Sequence, residues 1–328
     1  MSSLEKIARF VRKSPGEKWA AVRATLGWKR RSAEQLLYQI EQLRKMTEQS
    51  AILTKELFVS QVLLADERYA DPKRLERCGF KVYSQNDEDG IIQEIFRRIG
   101  ITNRRFVEFG VANGLENNTL SLLVSGWRGL WIDAAPENVI NIKTRFADVL
   151  VEGRLAVQDA FITAENINEL IGIWGSGEID LLSIDIDGND FYVWQALNVV
   201  KPRVVVIEYN AKFHPPLAIV QEYNAGHVWK GTDYFGASLE ALVRLGTRLG
   251  YSLVCTNFSG VNAFFVRNDI LGNRFQTPFT AENHFNPPRY FLWPLYVPGH
   301  TPDWGRYIEA PDSSEDNFPG PGGPRRAR

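Results

Sequence analysis

Only two cysteines occur in the 328 residues, Cys78 and Cys255, and both sit in apolar settings. A disulfide framework and a cysteine-based metal site are therefore excluded, and buried free thiols in a reducing cytoplasm are the expectation. The four histidines are scattered and show no zinc spacing. No apolar run approaches the ~20 residues that a membrane span needs, and no signal-peptide core opens the chain. Net charge is close to zero, at −1. What remains, 44% apolar and 23% charged residues, is the composition of an ordinary soluble globular protein with one large domain plus an extension, or two modest domains.

The small net charge hides an asymmetry. Residues 1–31 carry nine basic side chains against Glu5 and Glu17, a local balance of +7 that leaves −8 for the rest. With Leu4, Ile7, Phe10 and Val11 at helical spacing, this basic arm could lie peripherally on the inner, anionic face of a membrane. The plainer reading is a solvated helical arm packed on its own domain or on a partner subunit. Ser32 to Tyr69 lacks Pro and Gly and reads as one long helix. Leu36, Ile40, Leu43, Leu57 and Leu64 lie on a heptad-like seam interrupted by Thr47, Ser50, Thr54 and Gln61, which suits a helix packed between subunits of a homo-oligomer.

From about Lys81 strands and helices alternate. Strands are expected at Arg105–Phe109, in "RGLWIDA", "RLAVQDA", "IDLLSIDID" and "RVVVIEYN", with amphipathic segments between them. Strands that are apolar throughout and alternate with helices argue a parallel sheet covered on both faces. The rhythm then breaks: "YSLVCTN" and "VNAFFVR" are joined only by "FSG", too short for a parallel crossover, so these two strands form an antiparallel hairpin. The expected fold is α/β: five parallel strands plus a terminal antiparallel hairpin, with an N-terminal helical extension. The expected divisions are an arm over residues 1–31, a helix over 32–78, the α/β domain over 79–270, an aromatic and Pro-rich arm or lid over 271–310, and a disordered tail over 311–328, rich in Pro, Gly and Ser.

The first strand runs into a small-residue loop. Glu108, Gly110, Ala112 and Gly114 give E-x-G-x-A-x-G, out of register with a dinucleotide fingerprint because Leu115 stands where the third glycine belongs. Asp133 ends the second strand, where an acid that binds two ribose hydroxyls belongs. The third strand ends at Gln158-Asp159, a suitable edge for reading an adenine amino group.

In this order the features resemble class I S-adenosylmethionine-dependent methyltransferases. More narrowly, "YSQNDEDGII", "FVEFGVANGLENNT", "LLSIDIDGNDFYVWQAL" and "PRVVVIEYN" resemble the FkbM-type branch, many of whose members methylate hydroxyls on sugars or other secondary metabolites. The resemblance covers Tyr83 to Arg267 and implies a Rossmann-like methyltransferase sheet and S-adenosyl-L-methionine as cofactor. The chain departs from it in "DIDG", Asp185 to Gly188, where many members read "DIEG". It departs also at Ala112, the middle position of the cofactor loop, where Ala permits close approach if its φ is negative. Gly110 and Gly114 would let the backbone approach the methionine part of the cofactor, and Glu108 could accept from its amino group. Asn117, Asn118 and Thr119 could meet its carboxylate, or simply cap the next helix. The resemblance places Gln85 at the same end.

A sugar hydroxyl is a poor nucleophile at neutral pH and needs a base or a metal. Asp185, Asp187 and Asp190 close strand four, and Glu208 and Asn210 close strand five, so both sets open onto the cofactor crevice. Asp185, Glu208 and Asn210 are hard oxygen ligands suited to Mg²⁺, a placement that resembles metal-dependent O-methyltransferases. The metal-free alternative has Asp187 or His214 as general base and Glu208 as a substrate partner. His227, Trp229 and Asp233 lie in an insert expected to cover the substrate side. The expected activity is O-methylation of a saccharide or glycan intermediate. Nucleic acid is disfavoured as a partner because the domain is acidic and the basic residues cluster in the arm. Two rivals stand beside it. Asp185-Ile-Asp187 is also the D-x-D of a nucleotide-sugar glycosyltransferase, and the domain could be a non-catalytic methyltransferase-like scaffold.

Overall fold

The computed structural model describes residues 14–292 and 299–313. The first half of the expected basic arm, part of the aromatic segment and nearly all of the expected tail lie outside those residues. The chain divides into two compact units, Met1–Val59 and Ser60–Arg328.

Among its described residues the first unit is one helix, α1 (Pro15–Phe58). It starts well before Ser32 because Ser14-Pro15-Gly16-Glu17 is a capping box. The Ser14 hydroxyl accepts from the Glu17 N–H at 3.3 Å, and the Glu17 carboxylate accepts from the Ser14 N–H at 2.8 Å. The helix passes through residue 32 without a break and gives way at Val59–Leu63 to a π-turn, earlier than Tyr69. Leu36, Ile40, Leu43 and Leu57 are each more than half exposed. The hydroxyls of Thr47 and Thr54, on the same seam, bond to the Leu43 and Ser50 carbonyls one turn back. Among the described residues no helix is long and apolar enough to cross a membrane.

The second unit is an α/β domain. In chain order it contains α2 (Glu88–Ile99), β1 (Arg105–Phe109), α3 (Leu120–Val124), β2 (Arg128–Asp133), α4 (Pro136–Arg145), α5 (Ala147–Val151) and β3 (Leu155–Asp159). There follow α6 (Ile167–Trp174), β4 (Gly177–Ile184), α7 (Asp190–Ala196), β5 (Val200–Glu208), β6 (Ile219–Gln221) and α8 (Leu239–Leu249). The last elements are β7 (Tyr251–Thr256), β8 (Asn262–Arg267), α9 (Asn268–Leu271), α10 (Ala281–His284) and β9 (Tyr307–Glu309). Seven strands form one sheet in the order β3-β2-β1-β4-β5-β8-β7. The first five are parallel, and β8 pairs antiparallel with both β5 and β7. This is the expected Rossmann-like sheet of five parallel strands closed by an antiparallel hairpin.

Both sheet faces are covered, which is why the strands are apolar without alternation. Ile167, Phe191, Leu242 and Leu245 pack one face; Ile91, Ile95, Leu120 and Ile142 pack the other. The burial of α8 shows how the sequence sets this up. Ser238 caps its start by accepting from the Ala241 N–H, Gly250 ends it in the left-handed region, and Leu239, Leu242 and Leu245 repeat at three-residue spacing on the buried face. Each of these leucines is fully buried and stabilises the fold by about 1.5–3 kcal/mol. The C-terminal segment returns to the domain as a second, two-stranded sheet, in which β9 pairs antiparallel with β6.

Candidate active site

The loop after β1 is shaped by the strand beyond it. A Cβ on Gly110 (φ +69°) would lie 1.8 Å from the Asp185 carbonyl oxygen, so only glycine lets the end of β4 pass. Ala112 has φ +47°, so the condition of a negative φ is not met; its N–H is held by Asp133, whose carboxylate accepts it at 2.7 Å. The other Asp133 oxygen accepts from the Ala135 N–H and the Asn138 side chain, both at 3.0 Å. Asp133 is thus the residue that folds the loop over the end of β2. Asp159 is its direct neighbour across the β2–β3 pairing and is exposed, whereas Gln158 is committed to the Leu170 carbonyl.

Glu108 is buried, and burial pushes its carboxyl up to about 7 although four donors pull the other way. Its oxygens accept from the N–H groups of Asn118 (2.8 Å) and Thr119 (3.1 Å) and from the Thr119 hydroxyl. The Asn118 side chain donates to Ser183, and Asn117 accepts from the Thr119 and Leu120 N–H groups as a cap of α3. These bonds pin Asn118 and Thr119 in the loop, and the helix begins at Leu120. Gln85 is half-buried, and its backbone carbonyl accepts from Lys81. Two acids that sequence reasoning passed over organise the segment around it. Asp89 accepts from three successive N–H groups, Val82 to Ser84, at 2.7–2.8 Å. Glu88, fully buried, accepts from Asn86, Asn257 and Asn262 and so joins this segment to the hairpin. Two acids at the start of a helix are the signal that could have found them.

Asp185, Asp187 and Glu208 converge. Each offers an oxygen, and the three oxygens lie within 4.8 Å of one another. One Glu208 oxygen, Oε2, is buried without a partner. Burial, then mutual repulsion, raises Asp185 and Glu208 well above the usual carboxylate range; burial and the charge of Asp190 lift Asp187 to about 6. Asp190 is separate in role: it accepts from the N–H groups of Ile186 and Gly188, both at 2.8 Å, and so holds the loop on which Asp187 stands at φ +56°. Asn210, expected as a metal ligand beside Glu208, accepts the Lys212 N–H on its side-chain oxygen at 3.2 Å. It is buried, and its side-chain amide donates to the Asp233 and Phe235 carbonyls at 3.1 and 3.0 Å, fastening the insert to the end of β5. Asp185, Asp187 and Glu208 are a donor set that fits a hard divalent cation: three carboxylates, one with an orphaned buried oxygen, that would otherwise be neutralised by protons.

No histidine nitrogen belongs to this group among the described residues. His214, expected as a base, is exposed, with its ring against Phe285 at 4.7 Å. His227 instead packs against Gly188, inside the acid loop. The insert does not stand alone. Asp233 and Glu222 donate backbone N–H groups to the Thr301 and Arg306 carbonyls, so the C-terminal segment forms a layer on it. A depression of about 660 Å³ bounded by Glu178, Pro202, Tyr251 and Arg267 lies at the starts of β4 and β5, the end of a parallel sheet away from these groups.

No family model matches the chain, and no curated protein does. Solved structures with a similar course include a protein assigned as a caffeoyl-CoA O-methyltransferase from Staphylococcus aureus, at 14% identity and TM-score 0.41, covering 66% of this chain and 99% of that one. The N-terminal domain of EvdMO1, solved with SAH and D-fucose, is 15% identical with TM-score 0.36, covering 68% and 94%. An O-methyltransferase from Bacillus cereus, solved with SAH, is 18% identical with TM-score 0.31, covering 47% and 72%.

Proposed function

We propose that the chain is an S-adenosyl-L-methionine-dependent O-methyltransferase of the FkbM type that acts on a hydroxyl of a saccharide or glycan intermediate, assisted by a divalent cation such as Mg²⁺. The observation that carries this is the meeting of two devices at one sheet edge. The E-x-G-x-A-x-G loop folds onto Asp133 while resting on Asp185, and Asp185 in turn belongs to the acid group.

Bound S-adenosylmethionine would supply an activated methyl group. Asp133 and Asp159, side by side at the ends of β2 and β3, would accept from ribose hydroxyls and from the adenine amino group. Gly110 and Gly114 would give the backbone its close approach to the methionine part. Glu108 supports this arrangement through Asn118 and Thr119, which it fixes at the start of α3. Gln85 lies in the segment that Glu88 and Asp89 organise. Asp185, Asp187 and Glu208 would hold the cation, whose chemistry is to acidify a nearby hydroxyl. In the metal-free alternative Asp187, the most open of the three, would be the base rather than His214, whose ring is exposed and outside the acid group.

The exposed stripe Leu36, Ile40, Leu43 and Leu57 supports pairing of α1 with a second copy, because the Thr47 and Thr54 hydroxyls between them are already satisfied within the helix. Peripheral contact of residues 1–31 with the inner face of a membrane belongs to the same proposal and rests on charge alone. The test is methyl transfer from labelled S-adenosylmethionine to a panel of hexopyranosides with Mg²⁺. Label should appear on a sugar oxygen, vanish on chelation and fall at least a hundredfold in Glu208→Gln. Full transfer by Glu208→Gln in the presence of chelator would overturn the cation-assisted mechanism.

A further inference from the structure

The end of the sheet where the parallel strands start has no part in the proposed chemistry. In a parallel sheet the connections that lead from a helix into the next strand all gather at that end. Here they are residues 100–104 before β1, 125–127 before β2, 152–154 before β3 and 175–176 before β4. The first carries Ile101, which is exposed, and each of the others follows a helix with a bare aliphatic side chain in its last turn. Val124 closes α3 and is 67% exposed, Val151 closes α5 and is 89% exposed, and Ile173, next to last in α6, is 74% exposed.

Arginines stand between these tips. Arg104 and Arg105 lie at the start of β1, Arg128 opens β2 and Arg154 precedes β3. They are neighbours in space: the Arg128 N–H donates to the Arg104 carbonyl at 3.0 Å, and the Gly129 N–H donates to the Arg154 carbonyl at 2.8 Å. Arg105 is opposite Arg128 in the β1–β2 register. The mounts are fixed. Asp180 accepts the Arg104 N–H at 2.7 Å and holds that residue at φ +55°. The Arg105 guanidinium lies over the Trp174 ring at 4.4 Å, next to Ile173, and Arg154 donates to the Leu123 carbonyl at 2.9 Å, next to Val124.

The acids nearby are already engaged. Asp180 is buried against Arg203, Glu178 is paired with Arg267, and Glu152 with Arg154. Asp148, in the first turn of α5, is exposed but follows Lys143 and Arg145 in the last turn of α4. Among the described residues neither Arg104 nor Arg128 is in an ion pair. Residues 32–328 together carry −8, so this end is a positive exception. Aliphatic tips set between guanidinium groups suit a bilayer surface, where the tips enter the headgroup boundary and the arginines meet lipid phosphates. A nucleic acid would leave the tips unused, and a protein partner would want one continuous apolar core where these tips are separated by charge. We propose that Arg104, Arg128, Val124, Val151 and Ile173 form a docking surface for an anionic membrane. It is distinct from residues 1–31 and does not depend on methyl transfer. Docked this way, the acid group lies at the far ends of strands roughly 17–26 Å long. On the methyltransferase reading, the acceptor hydroxyl then stands clear of the lipid surface.

The test is flotation of the full chain with vesicles of phosphatidylcholine alone and of phosphatidylcholine with about one third phosphatidylserine. The variants are Arg104→Asp with Arg128→Glu, in which Asp tolerates the left-handed φ, and Val151→Asp with Ile173→Asp. Lys230→Glu with Arg306→Glu, on exposed residues of the insert and the C-terminal layer, makes the same charge change as the arginine pair elsewhere. Thermal melting and light-scattering mass are read on the same samples. Wild type should float with the anionic vesicles only. Each docking-surface pair should bind them about tenfold more weakly or worse, at an unchanged melting temperature, and the control within about twofold of wild type. Either pair suffices should the other melt early. A wild type that ignores anionic vesicles would overturn the docking surface. So would folded pairs that bind like wild type, which would leave residues 1–31 as the contact, or a control weakened as much as the arginine pair. Pairs that lower the mass of a wild type unable to bind vesicles would make this end an interface between copies, and the membrane assignment would fall.

Discussion

Asp187→Asn should stabilise the cation-free protein and at the same time remove most of its stabilisation by Mg²⁺. Burial and Asp190 raise the Asp187 carboxyl from 3.8 to about 6. Its folded value is above its unfolded one, so the full stability is present below the unfolded value and is lost as pH rises through about 6. A shift of roughly two units corresponds to about 3 kcal/mol. Asp187 is the most open of the three acids, and solvent screening reduces this to about 1–2 kcal/mol. Asparagine has no charge to bury and tolerates the φ of +56°. Urea unfolding without metal should show the variant about 1–2 kcal/mol more stable at pH 8 and equal to wild type at pH 4. Adding Mg²⁺ to about a hundred times its dissociation constant should stabilise wild type by about 2.7 kcal/mol and the variant far less. A variant that is less stable than wild type at pH 8 without metal, or that keeps the whole Mg²⁺ effect, would refute the assignment of these acids.

Asp180→Ala should cost about 3–5 kcal/mol, because it strands the Arg203 guanidinium and the N–H groups of Thr102, Asn103 and Arg104 that now converge on one buried carboxylate. Burial pushes that carboxyl up, but Arg203 and the three amides outweigh it and hold it below its usual 3.8. The stability it contributes is therefore present above about pH 4 and lost as pH falls below it, so wild type and variant should converge in acid unfolding curves. Ala112→Gly should raise the urea midpoint slightly. It relieves about 1–2 kcal/mol of left-handed strain at φ +47° and gives back up to about 1 kcal/mol in chain entropy, and a clear destabilisation would contradict the observed loop.

The sheet was legible because its signals are local and repeated: apolar runs such as "RVVVIE" between amphipathic segments, then a three-residue link that forces a hairpin. The start of α1 was legible too, in Ser14-Pro15-Gly16-Glu17, but composition drew attention to the Pro- and Gly-free stretch after it. The site was harder. Asp185, Asp187 and Asp190 look alike in "DIDGND", and only folding separates two that converge on Glu208 from one that binds the backbone of its own loop. Asn210 and Glu208 are two residues apart at the end of one strand, yet the Asn210 amide nitrogen is committed to the insert, a long-range contact with no signature in spacing. The sign of φ at Ala112 follows from Asp133, 21 residues away. Glu88 and His227 acquire meaning only through partners elsewhere in the fold.

The cofactor assignment is tested most directly by calorimetric titration of S-adenosylmethionine and its demethylated product into wild type and Asp133→Ala. Both compounds should bind wild type with micromolar affinity, weakened in the variant by about 1–3 kcal/mol as the ribose and the Ala112 N–H lose their acceptor. No binding of either compound to a folded wild type would contradict it. A nucleotide sugar that bound with Mn²⁺ in their place would make Asp185-Ile-Asp187 the D-x-D of a glycosyltransferase.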